Sequence, residues 1–452
     1  MEWKGKINSY IDTRGYTMVD KEKEAVKYLQ QNSDYKRILK LIFEKYKRLG
    51  KFSGTFNLKE LTEGERRILA PLNYKHFNAK EAKEDVKKFV QYFCVGRFEG
   101  IDFAKVLELY FKKNLITYKE EKEDKSRRKE EFFKKVIFKN KHTRGAVWLN
   151  EVLEKKSFGY ATIIKSYENY NNIDKLKEFE AFLNTVLKGI NLLSFSSNVE
   201  SLPIFSSKVS KDPHYFDSNT TAGKLLIHSI CYVLNKKYPE NAEATAEVLY
   251  SAGLLKDDIS SSTVTFGLKA YRDNKELEFI YSFTEFKEPI ILTLGNLAKI
   301  DRFCCNKNKL FIFENPSLFS EIVKSLESLK PSIMCTSGQL KLASLVLLDK
   351  TIEYVDEVYY SGDFDPEGIS IAAKLQERYG DKVKFWRLDL QNYLNAVSDK
   401  KISDTSISKL KNIKNHELEE LIEGIKKNGV AGYQEALVQY YIEDIKASYK
   451  LF

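Results

Sequence analysis

The stretch EVYYSGDFDPEGISIAA, residues 357–373, decides the fold of the C-terminal part of the chain. Its first residues are aromatic and β-branched, which predicts a short buried strand that ends near Tyr360. Gly362 permits a turn without a Cβ penalty, and a proline and a second glycine then discourage a continued strand. An apolar stripe that begins at Ile369 predicts a helix as far as Tyr379. The predicted unit is a strand, an acidic turn and a helix.

Two aspartates lie in this turn, two residues apart. In extended backbone Asp363 and Asp365 point to the same face, and Phe364 points away from it. Two carboxylates on one face repel each other, and a hard divalent ion such as Mg²⁺ or Mn²⁺ would stabilise both in the ionised form. Aspartate is also favoured as a helix cap, which is a purely structural alternative. The residues alone leave both interpretations open.

Two further units of the same kind precede this one. An apolar strand over 309–313 ends in Glu314 and is followed by a helix. A strand over 333–335 ends in a turn over 336–339, before a helix over 340–348. Because active groups collect at the carboxyl ends of parallel strands, we expect Glu314 and the two aspartates at one edge of a sheet. The pattern therefore predicts a parallel α/β sheet of the Rossmann-like kind.

A Glu after one strand, a Thr-x-Gly turn after the next and an Asp-x-Asp after the third resemble the Toprim fold of topoisomerases, bacterial primases and several nucleases. The sequences of these motifs are similar to those of the JetD-like Toprim nuclease subunits of Wadjet-type, SMC-like plasmid-defence systems. The resemblance is good from Lys309 to about Leu388 and weaker on either side. The residues that carry it are Phe313-Glu314-Asn315-Pro316-Ser317, Cys335-Thr336-Ser337-Gly338-Gln339 and Gly362-Asp363-Phe364-Asp365-Pro366-Glu367-Gly368.

The resemblance implies metal-dependent cleavage of DNA phosphodiester bonds, with Mg²⁺ or Mn²⁺ as the cofactor. It implies that Glu314, Asp363 and Asp365 are the catalytic residues and metal ligands. Glu314 is either a ligand or the general base, and the sequence does not separate the two roles. Glu367 is a further candidate ligand, with a solvated acid in the first helical turn as its alternative.

A phosphate site is also expected near these acids. The backbone N–H groups of Thr336, Ser337 and Gly338 form a turn before a helix, where a phosphate could bind. Simple helix capping is the alternative for that turn. Arg387 is a second candidate for phosphate binding, with a surface ion pair as its alternative.

The implied partners are double-stranded circular plasmid DNA and the motor, kleisin and accessory subunits of an SMC-type complex. One site cuts one strand, so a double-strand break favours a homodimer. Three other functions stay open: a topoisomerase-like transesterase with a tyrosine nucleophile, a non-catalytic DNA-binding or assembly subunit, and a phosphatase or glycosyltransferase with its own Asp-x-Asp. The last would leave Glu314 without a role.

Composition limits the class of protein. The chain has 452 residues, of which 43% are hydrophobic and 13% aromatic, so several globular domains are expected. No long uncharged apolar run predicts a membrane span, and the sequence from Met1 to Lys6 lacks the apolar region of a signal peptide. The five cysteines form no Cys-x-x-Cys, which argues against a disulfide framework and a zinc site. These features predict a cytoplasmic protein.

Charge and periodicity suggest how the chain is divided. Residues 112–144 hold 13 Lys or Arg against six Asp or Glu, which fits either a polyanion-binding segment or a solvated connector. Two helices and two β-rich runs over 222–286 fit either a winged helix or a small α+β spacer. The predicted organisation is multidomain α/β: an N-terminal helical domain over 1–125, a middle, mostly helical DNA-binding domain over 126–299, and a C-terminal Toprim catalytic domain over 300–452.

Overall fold

The structure is a computed structural model, and it describes residues 18–170, 173–195 and 199–450. The chain divides into two units, one up to Lys135 and one from Val136 onward. The expected absence of a signal peptide concerns residues that lie outside the described ranges, as does the start of the predicted domain over 1–125. Within the described ranges, no helix combines the length and the apolar character needed to cross a membrane.

The first unit is built mainly of helices around one hydrophobic core. Short 3₁₀ helices lie at Tyr74–Asn78 and Gly96–Phe98. The regular elements are α1 (Met18–Gln31), α2 (Tyr35–Leu49), β1 (Thr55–Lys59), α3 (Glu63–Leu69), β2 (Glu81–Asp85), α4 (Val86–Phe93), α5 (Phe103–Phe111) and α6 (Tyr118–Lys139), whose last residues belong to the second unit.

The predicted N-terminal helical domain also contains a pair of strands. β1 and β2 pair as antiparallel strands, and buried and exposed residues alternate along both of them, as a half-buried strand requires. Two helix ends in this unit follow from the local sequence. Gly50 ends α2 in the left-handed conformation, with φ 69°. Thr62 and Glu65 form a capping box at the start of α3.

The second unit contains a mixed sheet with helices packed against it. Its first elements are α7 (Arg144–Lys155), α8 (Tyr160–Asn169), α9 (Ile173–Leu192), β3 (Glu200–Ser201), α10 (Leu202–Ser210), α11 (Thr221–Leu234), α12 (Ala242–Ser251), β4 (Leu254–Leu255), β5 (Ser262–Phe266), β6 (Leu268–Arg272), β7 (Lys275–Glu276), α13 (Glu278–Glu285), β8 (Ile290–Thr293) and α14 (Leu294–Leu297).

The later elements of this unit hold all the predicted site residues. Short 3₁₀ helices also occur, among them Leu410–Asn412 and Gln434–Leu437. The regular elements are β9 (Arg302–Cys305), β10 (Lys309–Phe313), α15 (Pro316–Leu326), β11 (Ile333–Cys335), α16 (Leu342–Asp349), β12 (Glu357–Ser361), α17 (Pro366–Tyr379), β13 (Val383–Phe385), α18 (Leu390–Ala396), β14 (Val397–Lys401), α19 (Asp404–Lys409), α20 (Glu419–Asn428), β15 (Val430–Gly432) and α21 (Val438–Lys450).

Six described strands form the main sheet, in the order β13-β12-β10-β11-β5-β8. The four strands from β13 to β11 are parallel, whereas β5 and β8 are antiparallel to their neighbours. Four consecutive residues of β10 are buried, which shows that both faces of the central strand are covered. The prediction of a multidomain α/β protein is confirmed, but the sheet that was predicted to be parallel is mixed, because β5 and β8 add two antiparallel pairings.

The two β-rich runs that could form the hairpin of a winged helix over 222–286 do not pair with each other, and the antiparallel pair in this range is β6–β7 instead. The first β-rich run becomes β5 and joins the main sheet beside β11. The second run, predicted as a strand over 277–286, is the helix α13. Its aromatic residues raised the strand propensity, but a helix places Phe279 and Phe283 one turn apart on an exposed face. A wing formed by these two segments is therefore ruled out.

The predicted domain borders meet continuous structure. Residue 125 lies inside α6, and residue 300 lies inside the second unit. The main sheet takes β5 and β8 from before residue 300. The sheet therefore recruits residues that the sequence pattern assigned to a middle domain.

Candidate active site at the carboxyl edge of the sheet

The candidate site lies where the direction of the chain connections changes. β10 and β12 are parallel neighbours, with Phe313 opposite Ser361 at their carboxyl ends. The connection after β10 leads to β11 on one side, and the connection after β12 leads to β13 on the other. Open α/β sheets bind ligands in the crevice at such a switch point. The residues that follow Phe313 and Ser361 are therefore well placed to act together.

Glu314 and the two aspartates, here called the acidic edge, occupy this crevice. The backbone N–H of Asp363 donates to Oε2 of Glu314 at 3.4 Å. Gly362 makes this approach possible, since a Cβ at its position would lie 2.9 Å from Glu314 Oε2 and 2.5 Å from Tyr360 Oη. The predicted meeting of Glu314 with the Asp-x-Asp turn is confirmed at the level of these contacts.

The electrostatics of the acidic edge disfavour negative charge. Burial, followed by repulsion from Asp363 and Asp365, raises the pKa of Glu314 to about 7, although the N–H of Asp363 opposes the shift. Burial also raises the pKa of Asp363, with Glu435 and Asp365 adding repulsion. A bound cation would relieve this strain because it favours the ionised form of each carboxylate.

Tyr360 lies beneath the acidic edge. Its side chain is fully buried, and its hydroxyl makes no hydrogen bond of good geometry with a described residue. Burial, and then the negative charges of Glu314 and Asp363, raise the pKa of Tyr360 well above its ordinary value. The neutral phenol is therefore the form expected beside these carboxylates.

The two aspartates differ in their roles. Oδ1 of Asp365 accepts from the N–H of Gly368 at 2.9 Å and caps α17, so the structural alternative holds for this residue. Oδ1 of Asp363 instead accepts from the N–H of Gln434 at 3.2 Å. Between them, Phe364 is fully buried and packs against Tyr393, which agrees with its predicted direction away from the carboxylates.

Glu367 lies in the first turn of α17, as its alternative interpretation expects. Its Oε1 forms an ion pair with Lys409 Nζ at 2.6 Å. Lys409 is exposed, whereas Glu367 is half-buried. The structure thus places Glu367 beside the acidic edge but with a cationic partner of its own.

Two backbone N–H groups of the turn over 336–338 donate hydrogen bonds to carbonyl groups at the end of β10. The N–H of Thr336 donates to the carbonyl of Phe313 at 3.0 Å, and that of Gly338 donates to the carbonyl of Glu314 at 3.2 Å. α16 begins only at Leu342, with Lys341 as its N-cap residue. Neither a helix N-terminus nor a helix cap is therefore formed by Thr336, Ser337 and Gly338. These bonds instead fix the carbonyl end of β10 and orient the residue that follows it.

Arg387 forms an ion pair, which was the alternative to phosphate binding. Its guanidinium donates to both carboxylate oxygens of Asp444, each at 2.7 Å, and lies over the ring of Tyr440. Such a bidentate pair satisfies the fork of the guanidinium. Arg387 is held by α21 rather than aimed at the acidic edge.

Two further residues of the site were missed by sequence reasoning. The 3₁₀ helix after β15 brings Gln434 and Glu435 to the acidic edge, where Glu435 Oε1 accepts from Asn315 Nδ2 at 2.6 Å. The backbone N–H of Gln434 orients Asp363 across 71 residues of sequence. No motif marks either residue, so only the tertiary structure could reveal them.

The acidic edge has oxygen ligands of the kind that a divalent ion binds. Within the described ranges, no group of three or more His, Cys, Asp or Glu side chains is arranged to hold a metal. The donors are nevertheless chemically suitable, since carboxylate oxygens are the ligands that Mg²⁺ prefers. Oδ2 of Asp363 and Oδ2 of Asp365 accept no hydrogen bond from described residues. The oxygen ligands of the acidic edge therefore suit a hard cation, although its side chains are not arranged around a single metal position.

The fold and this site define an α/β protein with an acidic crevice at the switch point of its sheet. Residues 52–270 match a family model described as "Protein of unknown function N-terminus (DUF3323)", and residues 290–445 match one described as "Protein of unknown function C-terminus (DUF2399)". The chain is thus similar to the proteins that these two models describe, over these two ranges. The C-terminal match contains the whole acidic edge. A comparison with curated proteins gave no match.

Proposed function

We propose that this protein is a metal-dependent DNA endonuclease of the Toprim class, the JetD-like nuclease subunit of an SMC-type plasmid-defence complex. The observation that carries the proposal is the meeting of Glu314 and Asp363 at the switch point, from neighbouring parallel strands. The motifs that resemble the Toprim nucleases supply these same residues. A nuclease needs several carboxylates at one place, and this edge provides them on rigid strand ends.

The proposal gives each residue of the acidic edge a role. A divalent ion, when bound, would activate a water and neutralise charge on the scissile phosphate. Glu314, Asp363 and Asp365 would hold it. As an alternative to its role as a ligand, Glu314 is a candidate general base, because a carboxylate with a pKa of about 7 can accept a proton near neutral pH when no ion is bound to it. Gln434 and Gly362 position these groups, the first by its hydrogen bond to Asp363 and the second by its missing Cβ.

A non-catalytic DNA-binding or assembly subunit is the second candidate. The observation in its favour is the capping role of Asp365, which gives this carboxylate a structural reason to exist. For the transesterase, the two β-rich runs that were expected to form a winged-helix hairpin do not pair with each other. Tyr360, the tyrosine nearest the acidic edge in sequence, is fully buried and out of reach of DNA. A phosphatase or glycosyltransferase would leave the Glu314 contact unexplained.

A plasmid assay distinguishes nuclease from assembly subunit. The full chain is incubated with supercoiled plasmid in Mg²⁺, Mn²⁺ or EDTA, beside Glu314→Gln and Asp363→Asn. Glu377→Gln, an exposed acid on α17, is the matched control. We expect nicking with a divalent ion, loss in both site variants and normal activity in the control. A metal-dependent activity that survives both site substitutions would reject the assignment, and inactivity even with the partner subunits would favour the assembly role.

A further inference from the structure

A lysine-rich segment adjoins the acidic edge. Residues 397–414, here called the lysine lobe, hold five lysines and two aspartates, a net charge of +3. They comprise β14, α19 and the 3₁₀ helix Leu410–Asn412. All five lysine side chains are exposed: Lys400, Lys401, Lys409, Lys411 and Lys414. Sequence reasoning did not single this segment out, since its charge is smaller than that of residues 112–144.

Two structural ties hold the lobe beside the carboxylates. β14 pairs with β15, and Gly432 of β15 exchanges two backbone hydrogen bonds with Phe364, at 2.9 and 3.2 Å. Phe364 is the residue between the two aspartates. On the other side, Lys409 reaches Glu367 in the first turn of α17. Leu410, which is almost fully buried, anchors the lobe between these ties. The lobe is therefore fixed to the Asp-x-Asp turn rather than merely near it in sequence.

Most of the lobe's charge is available to a ligand. Lys409 pairs with Glu367, but among the described residues the other four lysines form no ion pair with a carboxylate. Lys400 lies over the ring of Tyr433, with Nζ 5.8 Å from the centroid, which leaves its charge intact. The basic helix α6 differs, because Arg127, Arg128 and Lys134 pair with acids one turn away on the same helix.

An acidic edge alone repels a phosphate backbone. Glu314, Asp363, Asp365 and Glu435 lie together there, and at physiological salt their field extends about 8 Å. A fixed group of unpaired lysines next to them would offset that repulsion and attract phosphate oxygens. Lysine contacts to phosphate position a duplex and carry no sequence information.

We infer that the lysine lobe binds the backbone phosphates of duplex DNA and seats one strand against the acidic edge. The inference rests on the proposed function for its choice of DNA, but its test requires binding only. The lobe predicts affinity without sequence preference and a steep dependence on salt.

The test measures binding of the full chain to a fluorescent DNA duplex by anisotropy, in EDTA so that cleavage plays no part. The lobe variant is Lys401→Gln/Lys411→Gln/Lys414→Gln. The matched variant is Lys122→Gln/Lys125→Gln/Lys129→Gln on α6, which removes the same charge. Removing three phosphate contacts should lower the slope of log affinity against log salt by about two to three, and affinity near 0.1 M salt by at least about tenfold. Circular dichroism confirms that each variant is folded.

The results separate the lobe from the proposed activity. A loss confined to the lobe variant supports the inference, even if wild type never cleaves. An equal loss in both variants would show that net charge alone sets the affinity and would overturn it. Unchanged binding in the lobe variant, no DNA binding by wild type, or stronger binding to an RNA duplex would overturn it as well. If wild type cleaves plasmid and the lobe variant binds DNA normally, the proposed function is supported and the inference about the lysine lobe is wrong.

Discussion

The backbone N–H of Asp363 donates to the carboxylate of Glu314 at 3.4 Å, across 49 residues of sequence. The contact joins the ends of two neighbouring parallel strands and brings the Glu314 carboxylate to the Asp-x-Asp turn. Mutual repulsion in a partly buried position costs folding free energy, which suggests that the arrangement is kept for function rather than stability.

Asp365 allows the cap to be separated from the chemistry. Asp365→Ala should lower stability by about 1 kcal/mol, because α17 loses its N-cap, and should abolish cleavage. Asp365→Ser keeps a capping oxygen but no carboxylate, so we expect near-normal stability and at least about a hundredfold less cleavage. The measurements are urea denaturation and plasmid nicking. Full activity of the serine variant would assign Asp365 to the cap alone.

Stability of the metal-free protein should depend on Glu314. Its folded-state pKa of about 7 exceeds the ordinary 4.5, so the folded state binds the proton more tightly. The free energy of unfolding therefore falls as pH rises from about 4.5 to about 7. Glu314→Gln removes the titrating carboxyl group. Its free energy of unfolding should therefore exceed that of wild type by about 1–2 kcal/mol at pH 8, with a smaller difference at pH 5.

Denaturation in EDTA at several pH values measures this difference. Glu377→Gln is again the control, and its difference from wild type should not change with pH. A constant difference for Glu314→Gln would mean that Glu314 is ionised in the folded protein at all these pH values, and that the repulsion at the acidic edge is weak.

Gly362 should tolerate no side chain. Gly362→Ala puts a Cβ 2.5 Å from Tyr360 Oη and 2.9 Å from Glu314 Oε2, an overpacking that costs about 1–3 kcal/mol. Tyr360→Phe removes the nearer contact, so the double variant should recover part of the loss. Unfolding free energies of both single variants and the double variant measure the coupling. Simple additivity of the two substitutions would place the strain elsewhere.

Cleavage should proceed by attack of water and leave no covalent protein–DNA adduct. The strand before the aspartates holds two tyrosines. Tyr360 is fully buried and has a strongly raised pKa, and burial raises the pKa of Tyr359 to about 12, so both are poor nucleophiles. Reactions with labelled plasmid are stopped in denaturant and separated by electrophoresis. Label that migrates with the protein, and that is lost on substitution of a tyrosine, would move the protein to the transesterases.

The sequence revealed the local part of this site because its signals are local. The strand before Gly362, the acidic turn and the helix to Tyr379 follow from period and from turn residues over a short stretch, and the helix ends at Tyr379 as predicted. The contact partners of the turn do not. Gln434 and Glu435 reach the acidic edge through a 3₁₀ helix that no periodicity marks, and only tertiary packing brings them there.

Two other differences have the same origin. The aromatic run over 277–286 favours a strand by propensity, but it forms the helix α13. Phe279 and Phe283 lie one turn apart on an exposed face of this helix. The charge over 112–144 is concentrated in sequence, yet in α6 several cations pair with acids on the same helix. Composition counts charges without showing which of them are already neutralised.

Cleavage of DNA is expected to depend on partner subunits. A nuclease that cut any cytoplasmic duplex would destroy its host, and the resemblance to JetD-like subunits suggests that an SMC-type motor selects circular DNA before cleavage. A double-strand break needs two acidic edges, which favours a two-fold dimer. We expect a homodimer in solution, with weak nicking alone and at least about a hundredfold faster linearisation of plasmid when the motor, kleisin and accessory subunits and ATP are present. Light scattering gives the mass, and gel assays with circular and pre-linearised plasmid give the rates. The Asp363→Asn variant with the full set of partners is the control for cleavage by a contaminant. A monomer that linearises plasmid rapidly without partners would contradict both parts of this prediction.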